Sequence, residues 1–479
     1  MWCFQVSPYN LWSVRALRYF TLLFLVISFL WWIVLLVSTF VSPPRMNSRG
    51  SGFFDFSYTT LTVGNLLVAL IFFTTPSKAM EISSLVVAGL LLVDMIIVLA
   101  VARLRAEEGW VGIASVIWAT VIALFNVLTD RVVAWGKKEE EERLTGRQES
   151  RRTLKEWLAV MASFIIMVVQ IVIVILLTAT LVLRSRDASL APSGERYFVD
   201  GDKWQLHLAC VGEVTYNADG KRNPTVICEA GENPFEDTFD DFIYNAYQNG
   251  TIDRYCYYDR PGLGWSDNAP SPHSAGMTAD DLTEALVKAG EKAPWVLASA
   301  GIGSIYSRIF SSRHIRQVQG ILLIDGLHED LLHRISRPGR GFMLWVRGVI
   351  SPLGWDRLPG ALFKGRTRED RIYGKSAYQS GKYIKAKLQE NLVANSLTKN
   401  EVVQARNIQE PKTPLVVVSS GISTRNDREW NDKQQDLTKI TENLLAWDVV
   451  GGALHEVWRT LEGREILEKR LGELVRGKN

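Results

Sequence analysis

Little in this sequence of 479 residues is suited to holding a metal ion, a nucleotide or a nucleic acid. It contains four cysteines, Cys3, Cys210, Cys228 and Cys256, and none of them has metal-ligand spacing. No glycine-rich phosphate loop or nucleic-acid motif stands out, and the formal net charge of +3 favours no particular partner. We therefore expect no cofactor, no metal and no nucleic-acid partner. The last three cysteines fall in predicted strands, where we expect buried free thiols rather than a disulfide.

Long apolar runs are concentrated before residue 184, whereas the rest of the chain has the composition of a soluble domain. A helix needs about 20 apolar residues to cross a bilayer, and five stretches reach that length. These stretches are 20–41, 56–75, 82–102, 110–129 and 158–183. The sequence therefore predicts a multi-pass transmembrane bundle over residues 1–183, with a charged linker at 131–157 and a polar tether at 184–196.

The distribution of Lys and Arg predicts the orientation of these spans. With a cytosolic N-terminus, the cytosolic loops hold eleven Lys and Arg, against six in the loops of the other side, as the positive-inside rule requires. Five spans then place the C-terminal domain on the non-cytosolic side. The sequon that begins at Asn249 fits that side as a glycosylation site. Mitochondrial and other endomembranes are both compatible with this pattern.

One acidic residue, Asp94, lies in the middle of the third predicted span. A charged carboxylate there costs about 2.5–3.5 kcal/mol on insertion scales. We therefore expect Asp94 to be protonated, or to face Asn65, Asn126 or Gln170 inside the bundle. It could act as a proton or ligand relay, but the spans contain no basic partner, which favours a polar clasp between helices.

The second half of the chain contains apolar β-type runs that alternate with helices and predict a mostly parallel sheet covered on both faces. The block Asp259–Ser266, Asp-Arg-Pro-Gly-Leu-Gly-Trp-Ser, resembles the Asp-Arg-Pro-Gly-x-Gly-x-Ser loop of α/β-hydrolases. The stretch 294–310 resembles their strand, tight turn and helix around the nucleophile. Residues 197–479 thus resemble an α/β-hydrolase domain with a cap insertion at 326–413. Together with five spans, this resembles an uncharacterised, mainly fungal family of integral membrane proteins.

The resemblance places the nucleophile serine on Gly301, which has no side chain. Removing the serine from a serine protease lowers turnover by about a million-fold. The nucleophile position is also strained by about 1–3 kcal/mol for a residue with a side chain, and glycine relieves that strain. Two serines are alternative nucleophiles. We expect Ser299 to end the strand with its side chain in the sheet, and Ser304 to lie one turn into the helix.

The other members of a catalytic triad have candidates as well. His455 follows the last predicted strand, where the family keeps its base. Asp427, just past the predicted strand Leu415–Ser419, fits the usual position of the orienting acid. Asp325, at the end of the predicted strand Gly320–Asp325, is the alternative.

The loop after the predicted strand Thr225–Cys228 departs from the family pattern. Where the resemblance implies His-Gly, this chain has Ala230 and Gly231, followed by Glu232. We expect the oxyanion region at Gly231 and Ile302. The negative charge of Glu232 near it should oppose stabilisation of an oxyanion.

The cap is rich in positive charge. Residues 333–387 contain 13 Lys and Arg against 3 acids, and they include the aromatic run 342–347. This pattern predicts either a basic surface that rests on the membrane or grips an anionic lipid, or a cap that packs on its own sheet with solvated charges.

Three functions are compatible with these patterns. The first is a membrane-anchored, non-catalytic hydrolase fold that binds a lipid-like ligand or a protein partner. The second is an active esterase, lipase or amidase on a membrane-derived substrate, using Ser299 or Ser304 with His455. The third is a transport or channel element centred on Asp94.

Overall fold

The structure, a computed structural model, describes residues 11–46, 48–146 and 153–477. The chain forms two compact units. The membrane unit comprises Met1–Ser189 and Gly348–Phe363, and the sheet unit comprises Leu190–Arg347 and Lys364–Asn479. Cys3 and residues 147–152 of the predicted charged linker lie outside the described residues.

The membrane unit is built on five long helices. They are α1 (Trp12–Ser38), α2 (Phe53–Ile71), α3 (Lys78–Ala100), α4 (Ala102–Thr145) and α5 (Leu154–Asp187). All five are long and apolar enough to cross a membrane, so the prediction of five candidate spans is confirmed for the residues that the structure describes. α4 breaks near its start at Gly109, whose φ of +62° interrupts the helical backbone.

A polar contact joins two helices inside this bundle. Asp94 on α3 is fully buried, and the hydroxyl of Tyr58 on α2 donates a hydrogen bond to its Oδ2 at 3.2 Å. Asp94 was expected to be protonated or to face Asn65, Asn126 or Gln170, and of these alternatives the second is not seen, because the described hydrogen bond comes from Tyr58. Which side chain meets Asp94 depends on how neighbouring helices are rotated, and apolar periodicity does not fix that rotation.

Part of the segment that the sequence predicted as cap packs within the membrane unit. It contains a 3-10 turn, Ser351–Leu353, and the short helix α10, Arg357–Phe363. Leu353 packs against the apolar core of the bundle. Arg357 forms an ion pair with Asp187 on α5 at 3.4 Å.

The sheet unit contains one mixed, mostly parallel sheet of eight strands. They are β1 (Glu195–Val199), β2 (Trp204–Gly212), β3 (Thr225–Glu229), β4 (Arg254–Tyr258), β5 (Trp295–Ala300), β6 (Val318–Ile324), β7 (Leu415–Ser420) and β8 (Leu444–Val450). Their order is β1-β2-β4-β3-β5-β6-β7-β8. β2 runs antiparallel to both β1 and β4, and all other pairs are parallel. The predicted α/β-hydrolase fold class is confirmed.

Strand β1 was not predicted, because its residues were assigned to the tether or left without an element. It forms the edge of the sheet and only Val199 is buried. An edge strand with little burial carries a weak apolar pattern, so its sequence does not distinguish it from a loop.

Helices cover both faces of the sheet and enclose two apolar cores, one on each face. The remaining helices are α6 (Phe235–Gln248), α7 (Ala275–Lys288), α8 (Gly303–Arg313), α9 (Pro338–Ile350), α11 (Arg368–Ile372), α12 (Gly381–Val393), α13 (Lys399–Ile408), α14 (Gly421–Asn426), α15 (Arg428–Leu437) and α16 (Leu461–Arg476). The last three residues of α9 belong to the membrane unit. The five parallel pairs place the carboxyl ends of six strands, β3 to β8, at the same edge.

The prediction that the strand cysteines are free thiols is wrong for two of them. Cys210 on β2 and Cys256 on β4 form a disulfide, whereas Cys228 on β3 is a buried free thiol. The antiparallel register places Cys210 directly opposite Cys256. Cys256 and Cys228 belong to the apolar cores on opposite faces of the sheet. The pairing depends on strand order, which cysteine spacing does not reveal.

The disulfide predicts a definite thiol count. In a Cys3→Ser background, a denatured but unreduced sample should react with one maleimide per chain, at Cys228, and with three after reduction. The measurement is the mass shift of the intact protein after labelling with and without reductant. Three reactive thiols before reduction, in protein from an oxidising compartment, would contradict the pairing. Cys228→Ser is the matched control and should show none before reduction.

Candidate functional site

Four residues meet at the carboxyl-terminal edge of the sheet. Gly301 follows β5, Asp325 follows β6, Glu232 lies three residues after β3, and His455 lies five residues after β8. In open α/β sheets, loops at this edge form the binding crevice. The strand order therefore brings together residues from four separate parts of the chain.

Gly301 occupies the turn between β5 and α8, with φ of +48°. Its carbonyl accepts a hydrogen bond from the backbone N–H of Leu327 at 2.8 Å, which fixes the turn. A Cβ added at Gly301 would lie 2.8 Å from Nε2 of His455 and 2.8 Å from each carboxylate oxygen of Glu232. A side chain at this position would thus project towards the histidine, as a nucleophile must.

His455 is oriented by Asp325. The two side chains are joined by a hydrogen bond of 2.7 Å between Nδ1 and Oδ2. The other carboxylate oxygen of Asp325 accepts hydrogen bonds from the backbone N–H of Ser420 and from Nε1 of Trp430, each at 3.0 Å. Asp325 is fully buried and has φ of +43°, so its position is fixed by both its hydrogen bonds and a constrained backbone.

Asp427, the first choice from the sequence for the orienting acid, lies elsewhere. It forms an ion pair with Arg334 and caps α15 by accepting a hydrogen bond from the backbone N–H of Trp430 at 3.1 Å. The ion pair with Arg334 holds the pKa of Asp427 below its usual value. The contact with His455 that the sequence expected for Asp427 is therefore made by Asp325.

Glu232 fills the space in front of Gly301. One of its oxygens lies 3.1 Å from Nε2 of His455, and the other accepts a hydrogen bond from the backbone N–H of Ile302 at 3.3 Å. The N–H of the residue after the nucleophile is one of the donors of an oxyanion hole in this fold. The sequence suggested only that Glu232 would add charge nearby, whereas the structure shows that its carboxylate occupies the donor.

The contacts of His455 and Glu232 keep both side chains charged. Burial opposes the charged form of His455, but its hydrogen bonds to Asp325 and Glu232 raise the pKa of His455 to about 10. Desolvation opposes ionisation of Glu232, whose side chain is 51% exposed, but the hydrogen bond to His455 and its charge lower the pKa of Glu232 to about 2. A pKa raised in this way favours the imidazolium form of His455 at neutral pH, and an imidazolium cannot accept a proton from a nucleophile.

Neither alternative serine reaches this centre. The hydroxyl of Ser299 bonds to Ser307 at 2.8 Å, and that of Ser304 donates to the carbonyl of Gly301 at 2.8 Å. Both serines are fully buried. Their hydroxyl groups are therefore engaged inside the domain and make no hydrogen bond to His455 in the described structure.

The Asp259–Ser266 motif holds the loop that carries Glu232. The guanidinium of Arg260 donates to the carbonyl of Ala230 at 2.6 Å and to that of Gly231. It also donates to the Glu229 carboxylate at 2.9 Å. The motif thus has a structural role in this chain, because three consecutive residues before Glu232 are fixed by one buried arginine.

A cavity of about 850 Å³ adjoins the site. Its lining comprises the apolar residues Ile302, Leu327, Ile335, Met343, Leu344 and Trp430, the uncharged polar residues Tyr378, Gln379 and Tyr383, and the charged residues Glu232, Glu390, Arg334, Arg340, Arg347, Lys375, Lys387 and His455. Its volume lies within the range of small-molecule sites, about 300–1,000 Å³.

Two further features bear on the sequence predictions. Among the described residues, the potential metal-ligand cluster Cys210, Cys256 and Glu291 has both sulfurs joined in the disulfide, so it offers no thiolates.

Asn249 is exposed at the end of α6, where its side chain donates to Glu468 at 2.9 Å.

Comparison with known proteins shows which family the chain belongs to. Residues 4–210 match the family model described as a region of unknown function, DUF2417. An uncharacterised protein of Schizosaccharomyces pombe is 32% identical over 483 residues, covering 95% of this chain and 89% of that protein. The chain therefore belongs to the DUF2417 family. An uncharacterised vacuolar membrane protein of Saccharomyces cerevisiae is 30% identical over 335 residues, covering 59% of this DUF2417 chain and 52% of that protein. The fungal resemblance is thus confirmed.

Solved structures show likenesses to the sheet unit. One is an α/β-hydrolase enzyme from a deep-sea metagenome library, with 12% identity, a TM-score of 0.44, and coverage of 60% of this chain and 98% of that chain. Another is the enol-lactonase from Burkholderia xenovorans LB400, with 12% identity, a TM-score of 0.39, and coverage of 59% and 100%. Nothing about the chemistry of this DUF2417 protein follows from likenesses of this size.

The protonation of His455 should depend on Glu232. In the native protein His455 should remain protonated through pH 8, and in Glu232→Gln its pKa should fall by about one pH unit or more, because an opposite charge is lost. Histidine-selective carbon-13 labelling and NMR titration would measure this, with His455→Gln to assign the signal. Glu456→Gln is the matched control and should leave the titration unchanged. A native His455 that titrates near pH 6.5 would contradict the described contact.

The same contact has a defined effect on stability. The pKa of His455 in the folded state, about 10, lies above the ordinary histidine value of 6.5 that applies in the unfolded chain. The contribution of His455 to the free energy of unfolding should therefore be fully present below pH 6.5 and be lost as the pH rises through 10.

Proposed function

We propose that this DUF2417 protein is a multi-pass membrane protein whose hydrolase-like domain is non-catalytic and binds a lipid-like ligand in its cavity. The observation that carries the proposal is the Glu232 carboxylate in front of Gly301. This one carboxylate accepts a hydrogen bond from the N–H of Ile302, which is the candidate oxyanion donor, and contacts Nε2 of His455, which is the candidate base. The two groups that hydrolysis most needs are thus occupied, and no nucleophile stands between them.

Other observations support this proposal over the two alternatives. Hydrolysis with Ser299 or Ser304 would require each buried hydroxyl to leave its present partners. Transport centred on Asp94 has less support, because that side chain is fully buried and bonded to Tyr58, which accounts for it as a clasp between helices.

We further infer that the sheet unit lies on the non-cytosolic side of a vacuolar or related endomembrane. The Lys and Arg distribution favours that orientation, and disulfides persist in oxidising compartments rather than in the cytosol. The exposed Asn249 supports it as well. The vacuolar membrane is suggested by the Saccharomyces cerevisiae relative.

Reaction with a fluorophosphonate tests the non-catalytic proposal. The purified native protein should not be labelled, because Gly301 has no side chain to act as a nucleophile. Gly301→Ser alone should be labelled poorly, because its Cβ would lie 2.8 Å from both carboxylate oxygens of Glu232 and the two side chains compete for one space. Gly301→Ser combined with Glu232→Ala should be labelled at residue 301, since serine, His455, Asp325 and the Ile302 N–H are then all available. Mass spectrometry of the adduct would identify the labelled residue.

Matched controls separate chemistry from misfolding. Adding His455→Ala to the double variant should abolish labelling, and thermal melting should show that every variant is folded. Labelling of the native protein that is lost in Ser299→Ala or Ser304→Ala, and in His455→Ala, would overturn the non-catalytic proposal and identify the nucleophile.

Glycosylation at Asn249 tests the orientation. The triplet Asn249-Gly250-Thr251 is the one Asn-x-Ser/Thr sequon without proline in the 479 residues. Endoglycosidase treatment of protein from a fungal host should increase its electrophoretic mobility, and Asn249→Gln should abolish the change. Asn245→Gln, an exposed asparagine on the same helix, is the matched control. Protease digestion of a C-terminal tag in sealed, intact vesicles would contradict a lumenal sheet unit.

A further inference from the structure

One face of α9 forms part of the cavity wall. Arg340, Met343, Leu344 and Arg347 all line it. Their spacing of three, four and seven residues places them on one side of a helix. The wall therefore presents two apolar side chains between two arginines, a combination suited to a molecule with an apolar body and a charged group.

Three of the cations in the lining form no ion pair within the described part of the chain. These are the exposed side chains of Arg340, Arg347 and Lys375. Lys375 interacts electrostatically with Asp237, which does not line the cavity. The other two basic residues of the lining differ, since Lys387 pairs with Glu390 at 2.9 Å and Arg334 with Asp427 and Glu429.

The acids of the lining do not compensate these three cations. Glu232 is engaged by His455 and by the N–H of Ile302, and Glu390 is engaged by Lys387 and lies 3.7 Å from Arg260. Both carboxylates thus have cationic partners already. The cavity retains an excess of positive charge, which attracts an anion.

The Gly301 end of the cavity has the opposite character. Two carboxylates, Asp325 and Glu232, flank the single ring of His455, so acidic side chains outnumber basic ones here. This end would repel an anionic headgroup, while the neighbouring side chains of Ile302 and Leu327 offer apolar contact. Charge therefore directs a headgroup towards the arginines and an apolar chain towards Gly301.

We propose that the cavity binds a single-chain lipid with an anionic headgroup, a phosphate or a carboxylate, held by Arg340, Arg347 and Lys375. This inference rests on the proposed non-catalytic function and specifies its ligand class. Arginine suits both headgroups, because its planar fork of N–H donors matches the oxygens of phosphate and carboxylate. Met343, Leu344, Ile302 and Leu327 would contact the acyl chain, as expected for a site that is mostly apolar with a few placed charges.

Binding to the full-length protein in phosphatidylcholine nanodiscs tests the inference. Oleoyl lysophosphatidate and oleate, which share one chain but differ in headgroup, should each bind about tenfold or more tightly than uncharged monooleoylglycerol. In Arg340→Ala/Arg347→Ala this preference should fall towards unity, while monooleoylglycerol binding persists. Arg337→Ala, an exposed arginine that precedes α9 and does not line the cavity, is the matched control and should keep the preference.

Comparing the two anionic lipids with inorganic phosphate shows whether the bound anion is a lipid headgroup or free phosphate. A preference for only one of the two anionic lipids would support the inference and identify its headgroup. Competition by inorganic phosphate alone at concentrations similar to those of the lipid would overturn the lipid part of it.

Other outcomes distinguish this inference from the proposed function. Equal binding of charged and uncharged lipids would overturn the anionic headgroup and leave non-catalytic lipid binding intact. Saturable binding of none of the three lipids would overturn lipid binding as such. Release of oleate from monooleoylglycerol or lysophosphatidate, lost in His455→Ala, would overturn the non-catalytic function itself.

Discussion

The ion pair between Glu232 and His455 in front of Gly301 is the contact on which the interpretation of this protein depends. It exists because the residue at the turn after β5 has no side chain, which leaves room for a carboxylate from another loop. The carboxylate then satisfies the two groups that a missing nucleophile would leave unpaired, the imidazole Nε2 and the N–H of Ile302. The Glu232 side chain remains 51% exposed, so the carboxylate engages both groups at the solvent-facing side of the centre.

The supporting parts of a hydrolase centre are nevertheless present. Asp325 holds His455 and is itself held by Ser420 and Trp430, and Arg260 fixes the loop before Glu232. These contacts stabilise the domain whether or not it catalyses a reaction, because each of them satisfies a buried group. The adjoining cavity is likewise independent of the nucleophile. The proposed binding function therefore does not require a nucleophile at residue 301.

Several features of the chain were predictable because they are local. A span needs only a long enough apolar run, so the five membrane helices were recognisable from the sequence, although their ends differ by several residues. The alternation of short apolar β-type runs with helices made the parallel sheet recognisable, and β1 was missed because an exposed edge strand lacks that signal. Residues 147–152 of the predicted linker are outside the comparison.

The sequence by itself determined the membrane spans, the hydrolase-like motif loop and the glycine at the nucleophile position, since each depends on neighbouring residues. Only the tertiary structure decided that Asp325 rather than Asp427 meets His455, that Cys210 pairs with Cys256, and that Glu232 occupies the centre. His455 and Glu232 are 223 residues apart in the chain. Such contacts follow from strand order and register, which set the loops that share one edge of the sheet and which local patterns of residues do not encode.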